Sequence, residues 1–243
     1  MKKKIIAFVL AGMMVLGGCA GDRLSDIELS MTENQWYHLN QITGEHEKMT
    51  FGEDRLFMYN CECGEPVGNS DLYDSFRYEE DNIILSGEGE EDWVIPVLAH
   101  SDYHMILNVD GQIIDFLNEE YAGEVPLIDI KYEELIDGYT GFYSVLGAKD
   151  DVVTLSMPAY DGDINDQREL KEDYVLDENC EFINMDIYRE VSDDGEYKEV
   201  TVDKMTRKEA KEFMEYGAAA FVWMDENLEV QKMMFWGERI IYE

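Results

Sequence analysis

Asp110-Gly111 is the feature that most constrains how this 243-residue chain can fold. An Asp-Gly pair between two alternating runs is the strongest short-range signal for a tight β-hairpin. Here it joins residues 103–109 to residues 112–117. In the first run Tyr103, Met105, Leu107 and Val109 share one face, with His104 and Asn108 on the other. That is the period of a half-buried antiparallel strand.

The same pattern extends upstream. Residues 35–43, 46–51, 55–61, 72–78, 82–87 and 93–98 read as further short strands, with turn chemistry at Thr43-Gly44-Glu45 and Glu80-Asp81-Asn82. Eight short strands opening on Trp36 resemble a bacterial lipocalin-like domain, a meander that closes into a barrel or an open half-barrel. The family often begins Gly-x-Trp; Asn34 takes the Gly position here. The resemblance implies an interior able to hold a small apolar ligand, and a solid side-chain core is an equal alternative. Residues 119–138, with Gly123 and Pro126 among acids, read as a connector carrying a short strand at 125–130.

From Tyr139 the strand pattern restarts. Residues 142–148 and 152–157 flank the turn Lys149-Asp150-Asp151, and 169–176, 180–189 and 197–202 are further strands. Thr206-Arg207-Lys208-Glu209 is a capping box that opens one helix over 206–216. Ala210, Phe213 and Met214 share its apolar face, and Gly217 fits the stop. Residues 219–224 and 228–236 follow as a hairpin across Asp225-Glu226-Asn227. Strands, one helix and a closing hairpin resemble a small OB-like barrel. The expected fold is therefore mainly β, with a lipocalin-like meander at 34–118 and an OB-like domain at 139–243.

The N-terminus answers a different question. Lys2, Lys3 and Lys4 precede an uncharged, mostly apolar run of 12 residues, 5–16. This is an export signal and is too short to span a bilayer core, which takes about 20 residues. Leu16-Gly17-Gly18-Cys19 then resembles the lipobox of bacterial lipoproteins. That resemblance implies removal of residues 1–18, a diacylglyceryl group on Cys19, and attachment to the extracytoplasmic face of a membrane. Residues 19–33 read as a tether; the fourteen residues after Cys19 reach at most roughly 50 Å.

Charge excludes some partners. The formal net charge is −36, and removal of residues 1–18 takes it to −39. Such a field repels nucleic acid and anionic headgroups, and the basic groove that nucleic-acid-binding OB folds need is missing. A hydrophobic content of 45% and an aromatic content of 12% are enough for packed cores.

Specific chemistry is thinly marked. Asp161, Asp163, Asn165, Gln167, Glu169 and Glu172 fall at positions 1, 3, 5, 7, 9 and 12 of a calcium loop, although Asp166 stands where that loop needs glycine and the flanks read as strands. A solvated acidic loop is the alternative to calcium binding. His100, Asp102 and His104 alternate, which on one strand would gather three metal-type side chains, but turn composition at 99–102 places His100 in a loop. With Cys19 acylated, Cys61, Cys63 and Cys180 remain, an odd number that argues against a full disulfide framework. No Gly-x-Ser-x-Gly, His-Glu-x-x-His or phosphate loop occurs. The expected role is a lipid-anchored binding or structural protein, needing no cofactor, whose partner is a small ligand or an envelope protein. An envelope-associated hydrolase using carboxylates is the alternative.

Overall fold

The computed structural model describes residues 30–39, 46–51, 58–61, 73–119, 121, 130–156, 170–192 and 195–242. Its first half is β1 (Gln35–Leu39), β2 (His46–Thr50), β3 (Met58–Cys61), β4 (Ser75–Glu79), β5 (Asn82–Ser86), β6 (Trp93–His100), β7 (His104–Val109) and β8 (Gln112–Asn118). These make one 8-stranded sheet in the order β3-β2-β1-β8-β7-β6-β5-β4. Sequence neighbours pair as hairpins, and the pairing of β1 with β8 curls the meander into a half-barrel. Its tight turns are built as their residues require: Glu80 and Asp81 have φ of 51° and 59°, Asp110 and Gly111 of 53° and 92°. Positive φ at both central residues is the type I′ geometry that matches strand twist.

Trp36, Met49, Phe51, Leu85, Ile95, Met105, Leu107 and Phe116 form an apolar cluster on this sheet. The helical turn at 30–33 belongs to this domain, because Met31 is fully buried in the same cluster. Residues 30–33 thus belong to the half-barrel, although they fall inside the stretch expected to be tether.

The second half is β9 (Gly141–Lys149), β10 (Val152–Ser156), β11 (Lys171–Ser192), β12 (Gly195–Met205), α2 (Arg207–Tyr216), β13 (Ala218–Met224) and β14 (Val230–Tyr242). A 3-10 turn, Ile130–Tyr132, and α1 (Glu133–Ile136) precede it. The sheet runs β10-β9-β13-β14-β11-β12, and an added β10–β11 pairing closes β9, β10, β11, β14 and β13 into a barrel. β11 and β14 are parallel; the helix lies between the third and fourth barrel strands. That is the Greek-key connectivity of an OB-like barrel. The strands expected at 169–176 and 180–189 are one strand, β11, whose pairing with β14 breaks register between Leu176 and Glu181.

Helix α2 starts where its cap dictates. Thr206 is extended (φ −74°, ψ 155°), its Oγ1 accepts from Glu209 N at 3.3 Å, and Glu209 Oε2 accepts from Thr206 N at 2.8 Å. Ala210 and Met214 are buried against the barrel, while Phe213 rides at the edge against Phe235. Gly217 ends the helix with φ 80°, a value side chains resist.

The half-barrel sheet contributes to the barrel's core as well as to its own. Ile106 of β7 and Ile113 of β8 lie in the barrel's own cluster with Tyr143, Val153, Leu155, Phe182 and Met233. The described end of the connector, residues 130–138, is docked as well. Trp223 Nε1 donates to Asp137 O at 2.8 Å, Lys232 Nζ donates to Leu135 O at 2.7 Å, and that ammonium lies 3.8 Å from the Trp223 ring centroid. Tyr139 stacks on His38 of β1 at 4.7 Å and meets Phe221 of β13 edge-on. The strand expected at 125–130 falls mostly outside the described residues, and Ile130 itself opens the 3-10 turn.

Candidate functional site at the seam between the barrels

The face of β7 and β8 that carries His104, Ile106, Ile113 and Asp115 turns away from the half-barrel core and onto the barrel. Sequence alternation leads one to expect that face in solvent. Instead His104, Met105, Ile106 and Leu107 are all buried, because a second domain covers the other side of the sheet. Two ionisable groups are therefore carried into the interior.

His104 Nδ1 lies 3.2 Å from Asp115 Oδ1 and 3.3 Å from Oδ2. Its Nε2 lies 3.4 Å from Glu172 Oε1 of β11, an ionic contact rather than an aligned hydrogen bond. Glu172 also accepts from the hydroxyls of Tyr103 and Tyr174, each at 2.6 Å. Asp115 Oδ2 accepts from the Tyr143 hydroxyl at 2.5 Å, and its backbone N–H donates to Thr140 O at 2.9 Å. Tyr103 stacks on the His104 ring at 4.6 Å. Gly141 makes room for this arrangement: a Cβ there would stand 2.7 Å from the Tyr143 ring. His104 and Asp115 are 1% and 2% exposed at the side chain; Glu172, at 37%, sits at the outer edge.

The electrostatics are one-sided. Burial alone would lower the His104 pKa, but the Asp115 charge and contact, then those of Glu172, outweigh it and push it up to about 10. Burial would raise Glu172, yet His104 and the two tyrosine donors bring it down to about 2. Burial, then the neighbouring carboxylates, drive Tyr143 and Tyr174 well above the ordinary tyrosine range. Across neutral pH His104 is an imidazolium and Glu172 a carboxylate, with neutral phenols around them. Outside it is a shallow dent lined by Tyr103, Tyr143, Leu155, Leu170, Glu172 and Tyr174, with no enclosed room even for a water molecule.

Cys19, Asp161, Asp163 and Asn165 lie outside the described residues. Glu172 is in β11, with its carboxylate engaged at the seam. His100 ends β6 rather than lying in a loop, and the reversal at 101–103 sends the two histidines to opposite faces. His100 joins the half-barrel side, 5.8 Å from the Trp36 ring, His104 joins the seam, and Asp102 is exposed. Among the described residues no three His, Cys, Asp or Glu are placed to hold a metal ion. Cys63 lies outside the described residues, as does the side chain of Cys61. Cys180 is a free, half-buried thiol pushed up to about 12 by burial, so it stays protonated.

Sequence reasoning missed Asp115, Tyr143 and Tyr174. One signal was present: an acid in the middle of Ile-Ile-Asp-Phe-Leu, on the same hairpin face as His104 once the Asp-Gly turn sets register. Compared with family models, curated proteins and solved structures, the chain matches none of them.

Proposed function

We propose that this chain is a lipid-anchored extracytoplasmic binding or structural protein whose two β-barrel domains act as one rigid body. The observation that carries it is the seam. Three buried or half-buried charges and three tyrosines from both domains are used up on one another. Such a network fixes the relative placement of two surfaces, since breaking it strands a buried charge. The apolar side-chain cluster of the half-barrel favours a partner bound on the outside over a small ligand held within. Anchoring rests on the lipobox-like Leu16-Gly17-Gly18-Cys19. No helix among the described residues is long and apolar enough to cross a membrane.

The hydrolase reading needs a general acid or base that changes protonation near the working pH. His104 near 10 and Glu172 near 2 are both far from that range. The membrane assignment is tested by Cys19→Ser. The variant is expected in the soluble or secreted fraction; retention with the membrane to the wild-type extent would remove the anchor from this proposal.

A further inference from the structure

Two covered polar atoms in the half-barrel find no hydrogen-bond partner among the described residues. Trp36 is 0% exposed, and its Nε1–H meets no acceptor. His100 is half-buried, and its Nε2 is covered and unpaired. The two rings stand 5.8 Å apart, tilted by 54°. They come from β1 and from the end of β6, strands separated in the sheet by β8 and β7. Their approach therefore spans the hollow of the curl. His100 pairs with Met105, and Met105 with Phe116, so the two strands beneath the rings present apolar side chains there. Met31 and Met49 belong to the same cluster as Trp36.

Buried polar groups are nearly always paired, with protein or with ordered water. An indole Nε1–H can only donate, whereas Nε2 of a neutral imidazole accepts when Nδ1 holds the proton. Burial, then the nearby His104, lowers the His100 pKa against the pull of Asp102, so the ring is neutral at neutral pH. A donor and an acceptor on facing rings call for a group that does both, which is a hydroxyl oxygen. One oxygen about 2.9 Å from each nitrogen bridges rings at this separation. A carboxylate has no proton to give Nε2 and would bring a charge among apolar side chains. A metal ion has no use for the indole, whose nitrogen offers no lone pair.

We propose that Trp36 and His100 hold a hydroxyl oxygen between them, which accepts from Trp36 Nε1 and donates to His100 Nε2. Its source is a resident water or the alcohol group of a small molecule, and the two share this chemistry. The half-buried His100 gives the site its way out to solvent. The site goes beyond the binding role proposed above and depends on neither the lipid anchor nor the seam.

The test uses the full chain in neutral detergent, labelled with nitrogen-15 in its 4 tryptophans, so that each indole N–H gives one signal. Trp36→Phe identifies the signal of residue 36. In the rotating frame that proton is expected to show a through-space cross-peak to water, opposite in sign to chemical exchange. His100→Leu should lose the cross-peak, whereas His100→Gln, whose amide oxygen still accepts, should keep it. Cyclohexanol, set against cyclohexane, separates the two sources. Contacts from Trp36 to the cyclohexanol ring that replace the water signal assign the oxygen to an organic hydroxyl; a water signal that persists at saturating cyclohexanol assigns it to solvent, and either result upholds the site. The proposal is overturned if Trp36 contacts neither water nor cyclohexanol, or if the contact is unchanged in His100→Leu. Equal displacement by cyclohexane would mean a merely apolar gap and would overturn it too. The wild-type cross-peak alone remains decisive should the variants fold poorly.

Discussion

The half-barrel and the barrel solve the same problem, burying one face of a curled sheet, by opposite routes. The half-barrel uses short strands joined mostly as neighbouring hairpins and leaves β3 and β4 as edges. The barrel closes on itself through the β10–β11 pairing and includes a parallel pairing between β11 and β14, strands separated by β12, α2 and β13. An open meander has a second face that needs cover, and a closed barrel has an outside to offer. The seam is where one supplies the other, and it carries both hydrophobic contact and the only deeply buried charges among the described residues. Two domains that look separable by connectivity are thereby joined energetically.

Removal of Asp115 attacks that coupling most directly. Asp115→Ala leaves the His104 imidazolium and the Tyr143 hydroxyl without their buried partner, a loss expected to cost about 3–5 kcal/mol. Urea unfolding followed by hydrogen exchange should change from one shared transition to separate ones for residues 75–118 and 141–242. A single, barely shifted transition would mean that apolar contact alone joins the halves.

The pH profile gives the next largest effect. His104 has a raised folded pKa, from an ordinary 6.5 to about 10. Its contribution is therefore full below pH 6.5 and is lost as pH climbs toward 10. Glu172 runs the other way, from 4.5 to about 2, so its contribution is full above pH 4.5 and is lost as pH falls toward 2. Each 1 kcal/mol forfeited lowers the melting temperature of a domain of 150–250 residues by about 2–4 °C. Against His104→Gln, wild type should lose its advantage on the alkaline side. Parallel melting curves from pH 6 to pH 10 would show that the imidazolium does not contribute.

The smallest effect is the sharpest gauge of coupling. Thr206→Ala removes the cap of α2 and should cost about 1 kcal/mol. If the barrel melts alone, as a unit of roughly 100 residues, the melting temperature falls by about 4–8 °C; if both halves melt together it falls by about 2–4 °C. The smaller drop is expected, and the larger would mark the halves as thermally independent.

What the sequence made legible follows the same division. The eight meander strands, the type I′ turns and the capping box at Thr206 are set by residues close together in the chain. Period and turn chemistry therefore expose them. In the sequence β11 reads as two strands because its central segment, Asp177-Glu178-Asn179-Cys180, interrupts the apolar alternation. The strand is held through that interruption by partners on either side, β10 before it and β12 and β14 after. The seam was hidden for a related reason. His104 and Asp115 are polar residues on a face that looks solvent-bound until another domain is placed on it. Glu172 drew notice as the end of an acidic run, whereas its tyrosine partners come from β11 itself and from residue 103, which are brought together only by the tertiary fold.

The double-sided burial of β7 and β8 also sets an order of events. Synthesis delivers the meander first, and its hairpins can form at once from local contacts. Yet Ile106, Ile113, His104 and Asp115 find their cover only when β9, β11 and the strands that close the barrel have emerged. At usual synthesis speeds the remaining hundred or so residues take on the order of ten seconds. For that interval the nascent half-barrel displays an apolar, charge-bearing surface to every other chain nearby. Keeping the polypeptide unfolded until its last strand is available would remove that hazard.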